Sequence, residues 1–198
     1  MRVAGFYAIL AFLVLMALPA RAITLIERGN GVAEMRGSFV AGDENVFRQF
    51  MAQPRARKIQ LLWLHSHGGS LAAGVAIGRI VRSMGLATAV DANNAYCDSA
   101  CTLVFVAGSR RHYVNGGSVM EGNSSLSGLG FHGAHIRPNS RAPAEKSESG
   151  TRILASYYRA MGVPGVADLI GRAAINTLFR PNGSTAMRLR IATTLGAP

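Results

Sequence analysis

The sequence contains few acidic side chains and almost no lysine. Its 198 residues include 21 Lys and Arg against 10 Asp and Glu, which gives a formal charge of +11. Only Lys58 and Lys146 are lysines, so arginine carries nearly all of the positive charge. The arginines are scattered, without a dense basic run or interleaved aromatic residues, so we expect no nucleic-acid partner.

Cysteine and tryptophan are also rare. The chain has two Cys and one Trp, and two cysteines are too few for a disulfide-stabilised scaffold. Hydrophobic residues make up 49% of the chain, and no segment has low complexity. This composition and length indicate one domain with a real core and leave too little chain for two.

Long apolar runs are absent except at the N terminus. Arg2 precedes an apolar stretch over 3–18, followed by Pro19 and an Ala-Arg-Ala sequence. This order is typical of a secretory signal peptide. We therefore expect a signal peptide over 1–22, one domain over 23–198, a periplasmic or secreted mature protein, and no stable membrane span after cleavage. An uncleaved membrane anchor is the alternative, although the run is short for a helix that spans a bilayer.

The two cysteines would suit an oxidising compartment. Cys97 and Cys101 are four residues apart. If both lie on one helix, their Cα atoms are about 6 Å apart, which permits a disulfide bond with a geometry that is often strained. Two buried free thiols on one helix face are the alternative, and the sequence does not distinguish them.

Strand and helix patterns alternate along the chain. Asp43 is predicted as the N-cap of a helix, and the continuous apolar run over 58–66 is typical of a buried parallel strand. Later patterns predict, in order, a helix over 71–84, a strand over 86–90, and helices over 97–108, 151–162 and 166–175. Right-handed β-α-β units and an α/β domain follow from this alternation.

Two segments read as loops. Residues 121–130 are mostly small, and residues 137–150 are polar and rich in Pro and Ser. We expect the second of them to be an exposed, mobile loop.

Three short segments contain the residues that could carry chemistry. The first, over 65–69, leads from the buried strand into a helix. Gly68 and Gly69 let backbone N–H groups approach a ligand without a Cβ in the way, and the start of a helix adds unpaired donors that suit an oxyanion. Simple turn geometry is the alternative explanation for the two glycines.

The second and third segments supply a hydroxyl and an imidazole. Ser99 lies among small residues at the expected start of a helix, where it could act as a nucleophile while the N–H of Ala100 helps to hold an oxyanion. His132 lies at the expected end of a strand and could serve as a general base to a serine. A helix-capping serine and a surface or hydrogen-bonded histidine are the alternatives.

In this order the three segments resemble one family. A strand leading into Ser-His-Gly-Gly, a Ser-Ala pair 30 residues later and a strand ending in Phe-His have the layout of the proteolytic subunit of the Clp protease. The sequence most resembles the secreted bacterial branch of the ClpP/crotonase superfamily, over about residues 37–135. This resemblance implies an α/β fold, a single-domain ClpP/crotonase-like spiral of β-β-α units, and assembly into a homo-oligomer.

The resemblance also implies a serine endopeptidase or other acyl hydrolase that acts on a peptide or protein without a cofactor. Ser99 would be the nucleophile and His132 the general base. The N–H groups of Gly69 and Ala100, together with that of Gly68, would form the oxyanion hole. An acyl-enzyme would form and water would hydrolyse it.

The sequence departs from the family pattern in three ways. His67 stands where the family usually has Pro, and the 33 residues from the serine to His132 are more than usual. The family has an Asp well after the His, whereas no acidic residue follows Asp168 here. Asn176 or Asn182 could orient a histidine, but without the carboxylate's charge, whose loss can cost about 10⁴ in kcat. A catalytically impaired binding or assembly module is therefore the alternative function.

Two other chemistries fit less well. A Ser-Lys dyad, as in signal-peptide peptidases of the same superfamily, would have to use Lys58, which precedes the buried strand, or Lys146, which lies in the polar loop. A metal site would need a tetrahedral ligand set. Its candidate ligands are His65, His67, His132, His135, Cys97 and Cys101. Gly68 and Gly69 indicate that the backbone turns after His67, so His65 and His67 would not point to one face as they would on an extended strand. We therefore expect no metal, and a metal-binding periplasmic protein is the least favoured alternative.

Overall fold

A computed structural model describes residues 22–122, 126–136 and 142–198. Residues 1–21, which make up nearly all of the expected signal peptide, lie outside these ranges, so signal cleavage and export stay predictions. Within the described ranges, no helix has the length and apolar character needed to cross a bilayer.

Strands and helices alternate along the described chain. The strands are β1 (Thr24–Gly29), β2 (Val32–Arg36), β3 (Leu61–His65), β4 (Ala87–Asp91), β5 (Tyr96–Asp98), β6 (Arg111–Val114), β7 (Gly128–Gly130), β8 (His135–Ile136) and β9 (Glu145–Lys146). The α-helices are α1 (Asp43–Ala52), α2 (Leu71–Ser83), α3 (Ala100–Ala107), α4 (Glu148–Ala160), α5 (Val166–Arg172) and α6 (Gly183–Arg188). Short 3-10 helices lie at Pro54–Lys58 and Gly116–Ser118.

One five-stranded sheet organises the fold. Its order is β1-β2-β3-β4-β6, with β1 and β2 antiparallel and the other neighbours parallel. The apolar run over 58–66 provides β3, a parallel strand inside this sheet as predicted. A smaller parallel sheet pairs β5 with β7, and a bridge between Ser66 and Cys97 joins it to the end of β3. The predicted α/β class and single domain are confirmed.

Helices α2 and α3 pack closely and set the position of the site. All eight residues of α3 are buried, which explains its continuous apolar sequence. A Cβ on Gly74 of α2 would lie 2.7 Å from the Ala100 carbonyl oxygen, and one on Gly78 would lie 2.9 Å from that of Leu103. These two glycines allow the backbones to approach, and the approach holds the start of α2 against the start of α3.

Helix α1 begins at Asp43 as predicted, but the predicted N-cap of α1 and the predicted start of α3 are wrong. Gly42, in the left-handed region with φ 95°, is the N-cap of α1. Asp43 is the first helical residue, and its buried carboxylate accepts a hydrogen bond from the N–H of Val40 at 2.7 Å. The helix expected over 97–108 begins at Ala100, because the residues before it form β5 and pair with β7.

Both predicted loops contain regular structure. Residues 121–130 include the buried strand β7, which is too short to show a periodic pattern in the sequence. The loop expected over 137–150 ends earlier than predicted, since its last residues form β9 and the start of α4. Ser147 caps that helix by accepting a hydrogen bond from the N–H of Gly150 at 3.1 Å. Residues 137–141 lie outside the described ranges.

Candidate functional site

The two glycines of the first candidate segment form a tight turn between β3 and α2. Gly68 has φ 84° and Gly69 has φ 134°, conformations that L side chains rarely adopt. A Cβ on Gly69 would lie 2.3 Å from the Phe39 carbonyl oxygen, and one on Gly68 would lie 2.7 Å from the Ala100 nitrogen. The close approach of neighbouring backbone therefore requires glycine at both positions.

Ser99 occupies a strained turn between β5 and α3. Its backbone has φ 53° and ψ −122°, and strain of this kind typically costs about 1–3 kcal/mol and persists only where the surroundings enforce it. The N–H of Ser99 donates to the Gly130 carbonyl at 2.8 Å. Cys97 and Cys101 lie at disulfide distance on either side of the turn, with Cα atoms 5.2 Å apart. Cys97 belongs to β5, so the expected pairing along one helix is corrected to a link between a strand and a helix.

The backbone amides next to Ser99 differ in their partners. No described residue accepts a hydrogen bond from the N–H of Gly69 or of Ala100, and Ala100 is the first residue of α3, where the helix itself offers no acceptor. The N–H of Gly68, in contrast, donates to the Ser66 hydroxyl at 3.0 Å. Of the three amides predicted for an oxyanion hole, Gly69 and Ala100 are unpaired and Gly68 is engaged.

Two neighbouring cavities meet at Ser99. The larger has a volume of about 440 Å³ and the smaller about 280 Å³. The side chains that line both cavities are His67, Ser99, His132 and His135. The larger cavity has an apolar wall formed by Leu71, Ala134, Ile136, Leu154 and Tyr158. The structure thus brings the predicted serine and histidine to one cleft.

His132 faces both cavities but is not bonded to the serine. Its Nδ1 donates a short hydrogen bond to the Gly133 carbonyl, so the lone pair is on Nε2, because a carbonyl oxygen only accepts. Its ring stacks on that of His135 with centroids 4.8 Å apart. Among the described residues, no hydrogen bond joins Ser99 Oγ to either ring.

The residues considered as a third triad member lie in different places. Asn176 lines the smaller cavity beside His132, but no hydrogen bond between them is present in the described chain. Asn182 caps α6 by accepting a hydrogen bond from the Thr185 N–H at 2.9 Å, and Asp168 lies in the first turn of α5. The role of Asn176 therefore stays a prediction.

One carboxylate close to the serine was not predicted from the sequence. Asp98 directly precedes Ser99 and is buried. Its Oδ2 lies 3.0 Å from His67 Nδ1, and its Oδ1 accepts a hydrogen bond from Arg180 Nη1 at 2.7 Å. The His67 ring stacks on Tyr96, with centroids 3.6 Å apart and planes within 10°. A buried ion pair and an aromatic ring thus hold His67 at the cavities.

The described residues give no support to a metal site or to a Ser-Lys dyad. There, no group of three or more His, Cys, Asp or Glu is placed to hold a metal ion. Cys97 and Cys101, at disulfide distance, are not free thiolate ligands. The linings of the two cavities at Ser99 include neither Lys58 nor Lys146.

The surroundings of His135 predict a loss of stability in acid. Burial, His132 and Lys146 lower the pKa of His135 below its ordinary value of 6.5. The folded chain then binds fewer protons here than the unfolded chain, so stability is complete above pH 6.5 and falls as the pH drops through that value toward the lower folded pKa. We expect the Tm to fall between about pH 7.5 and about pH 5, and His135→Gln to reduce this fall. Thermal unfolding followed by circular dichroism measures it.

His65 should also contribute to the pH dependence of stability. Burial and the nearby Arg36 also lower the pKa of His65, so the His135→Gln variant should keep part of the fall in Tm. A variant whose Tm has the parent's full pH dependence would contradict the role given to His135.

Comparisons with known proteins identify the fold. No family model and no curated protein matches the sequence. Among solved structures, a mutant of a membrane-bound stomatin-specific protease in complex with a substrate peptide matches with a TM-score of 0.56 at 10% identity, over 83% of this chain and 74% of that chain. Another mutant of that protease matches with a TM-score of 0.53 at 13% identity, over 83% and 78%.

A probable enoyl-CoA hydratase/isomerase from Mycobacterium abscessus also matches, with a TM-score of 0.48 at 11% identity, over 87% of this chain and 68% of that chain. At such low identities the likeness concerns the fold alone. The fold implied by the resemblance in the sequence is confirmed at that level, because this chain shares the fold of the stomatin-specific protease.

Proposed function

We propose that this protein is an acyl hydrolase that attacks the carbonyl of a peptide or ester with the Ser99 hydroxyl. One observation carries the proposal: Ser99 lies in a strained strand-to-helix turn, next to two unpaired backbone amides, at the junction of two cavities. A sharp, strained turn between a strand and a helix is how unrelated hydrolases present a nucleophilic serine.

The residues of the cleft supply each part of an acyl transfer. Ser99 Oγ bonds to the substrate carbonyl carbon while an imidazole takes its proton, and the resemblance assigns that imidazole to His132. The N–H groups of Gly69 and Ala100 hold the developing oxyanion, where one such donor is typically worth about 10²–10³ in kcat. The leaving amine or alcohol departs with the proton, and water then releases the acyl group.

The cavity favours a substrate with an apolar side chain. Its volume of about 440 Å³ is within the range of small-molecule sites, and its wall includes Leu71, Ile136, Leu154 and Tyr158. The protease with a similar fold was solved with a substrate peptide. We therefore propose peptides with an apolar residue next to the scissile bond as the substrate class. Self-association is a further part of the proposal, and it rests on the resemblance in the sequence.

A catalytically impaired binding module is the second candidate. Two observations favour it: His132 Nδ1 is bonded to a neutral carbonyl and not to a carboxylate, and no described hydrogen bond joins this ring to Ser99 Oγ. Such a module would bind peptides in the same cavity without turning them over.

Covalent labelling tests the proposal. A fluorophosphonate probe is expected to label the purified protein once per chain, and Ser99→Ala should abolish labelling, because only an activated serine reacts with such a probe. Circular dichroism confirms that both proteins are folded. No labelling of well-folded parent protein would reject the enzymatic function and favour the binding module.

We also propose that the protein works outside the cytoplasm, in keeping with the N-terminal segment and the cysteine pair. Cys97 and Cys101 enclose the Ser99 turn. A bond that closes so short a loop is expected to stabilise by about 2 kcal/mol, so Cys97→Ala/Cys101→Ala should lower the unfolding free energy by that amount in urea. Intact mass should be two hydrogen masses lower before reduction than after it. Equal masses would contradict the bond.

A further inference from the structure

We infer that His67, held by Asp98, is the general base that takes the proton of Ser99, so that the catalytic triad is Ser99, His67 and Asp98. This inference rests on the proposed acyl hydrolase function. It assigns the missing carboxylate to the residue next to the nucleophile and transfers the role of base from His132 to His67.

The contacts of His67 fix its tautomer and its position. A carboxylate oxygen lies 3.0 Å from Nδ1, so Nδ1 carries the hydrogen and Nε2 has the lone pair that a base needs. The ring stacks on Tyr96 at 3.6 Å, which limits its rotation. The side chain is 66% exposed and lines both cavities together with Ser99, so the ring is accessible from the cleft. As for His132, no hydrogen bond to Ser99 Oγ is present among the described residues.

Asp98 provides a carboxylate that can stabilise a protonated His67 ring. Its side chain is 4% exposed, and the Arg180 guanidinium donates a hydrogen bond to Oδ1, which leaves Oδ2 for His67. When His67 accepts a proton, this carboxylate stabilises the imidazolium and keeps the ring in the reactive tautomer. Removing such a carboxylate from a triad costs about 10⁴ in kcat.

The contacts of His132 differ from those of His67. Its Nδ1 faces the neutral Gly133 carbonyl, and its ring stacks on His135, which lies opposite Lys146 in the β8–β9 pair. Among the described residues, no carboxylate is hydrogen-bonded to the His132 ring, whereas Asp98 is bonded to His67. We assign His132 to the wall of the cleft.

Backbone pairing explains why His67 and Asp98 meet. The N–H of Ser66 donates to the Tyr96 carbonyl at 2.9 Å, and the N–H of Asp98 donates to the Ser66 carbonyl at 2.9 Å. This short parallel pairing places His67, the residue after Ser66, beside β5. His67 and Asp98 therefore lie where the five-stranded sheet meets the β5–β7 sheet.

The proton balance closes within these residues. Ser99 gives its hydroxyl proton to His67 Nε2 as the oxygen–carbon bond forms, and His67 gives that proton to the leaving amine or alcohol as the carbon–nitrogen or carbon–oxygen bond breaks. In the second half, a water molecule gives a proton to His67 Nε2 and its oxygen to the acyl carbon. His67 then returns the proton to Ser99 Oγ, which restores the free protein.

Three single histidine variants test the assignment on the full chain, with hydrolysis of an activated ester of an apolar amino acid as the readout. His67→Ala should lower kcat by about 10²–10⁴, the range of general-base catalysis, and added imidazole should restore part of the rate. His132→Ala should lower kcat by less than His67→Ala. His65→Ala, which removes another histidine beside Tyr96, is the matched control and should leave kcat unchanged.

The outcomes separate this inference from the proposed function. Hydrolysis that depends on Ser99 but survives His67→Ala, or falls further in His132→Ala, would overturn the assignment of His67 and leave the acyl hydrolase standing. Hydrolysis that persists in Ser99→Ala would overturn the proposed function itself.

Asp98 acts through His67 and is a positioning residue. Asp98→Asn should lower kcat by at least about 10² while leaving KM within about threefold, as expected when only transition-state stabilisation is lost. Asp98→Glu should recover part of the rate. An unchanged kcat in folded Asp98→Asn would overturn the role of the carboxylate, and its Tm shows how much of any loss is structural.

Discussion

Gly69→Ala is expected to abolish most of the activity and to destabilise the fold. Its Cβ would lie 2.3 Å from the Phe39 carbonyl oxygen, closer than two such atoms can approach. The backbone at φ 134° is also open almost only to glycine, and holding another residue there costs about 1–3 kcal/mol. The turn must shift, and losing one of the two oxyanion donors should lower kcat by about 10²–10³.

The control for this variant is a Gly-to-Ala substitution at Gly171. A Cβ on Gly171 in α5 would meet nothing within 4 Å, so Gly171→Ala should leave kcat unchanged and stability equal or slightly higher. Ester hydrolysis and urea unfolding of both variants give the comparison. Parent-like hydrolysis by Gly69→Ala would show that this amide does not face the reacting carbonyl.

Arg180→Met is expected to produce the largest loss of stability. Arg180 and Asp98 are both buried and joined at 2.7 Å, and removing one partner of a buried ion pair typically costs about 3–5 kcal/mol, because the other charge is left uncompensated. In a domain of this size such a loss lowers the Tm by about 6–20 °C. Differential scanning calorimetry measures it directly.

An exposed arginine on a neighbouring element serves as the control. Arg172 lies at the protein surface, with its guanidinium 5.4 Å from the centre of the Phe179 ring, a contact worth about 0.5–1 kcal/mol at an exposed site. Arg172→Met should therefore change the Tm only slightly. Equal changes in the two variants would show that the buried pair does not support the Ser99 turn as described.

The sequence predicted the elements that have a strong local pattern. The apolar run that forms β3 and the amphipathic pattern that forms α2 were found because each buries one continuous stretch or face. Strands β5 and β7 were missed because three residues show no period, and their pairing joins positions about thirty residues apart. Tertiary pairing therefore decided the true start of α3.

Some residues of the candidate site have a local signal in the sequence, and others depend on tertiary pairing. Ser99, Ala100 and the two glycines were predicted from local features, namely small residues and glycines at strand-to-helix turns. The pairing of His67 with Asp98 was not, although both the unusual His67 and the Asp before the serine were visible. Their contact depends on the register between β3 and β5, which no local pattern encodes.

A structure of the protein after reaction with a fluorophosphonate probe would show whether Ser99 is the nucleophile and whether the two amides face the reacting group. We expect one phosphorus atom bonded to Ser99 Oγ, with its free oxygen about 2.7–3.1 Å from the backbone nitrogens of both Gly69 and Ala100. A phosphonyl group on another residue would rule out Ser99 as the nucleophile, and one on Ser99 whose oxygen points away from both amides would rule out the oxyanion hole.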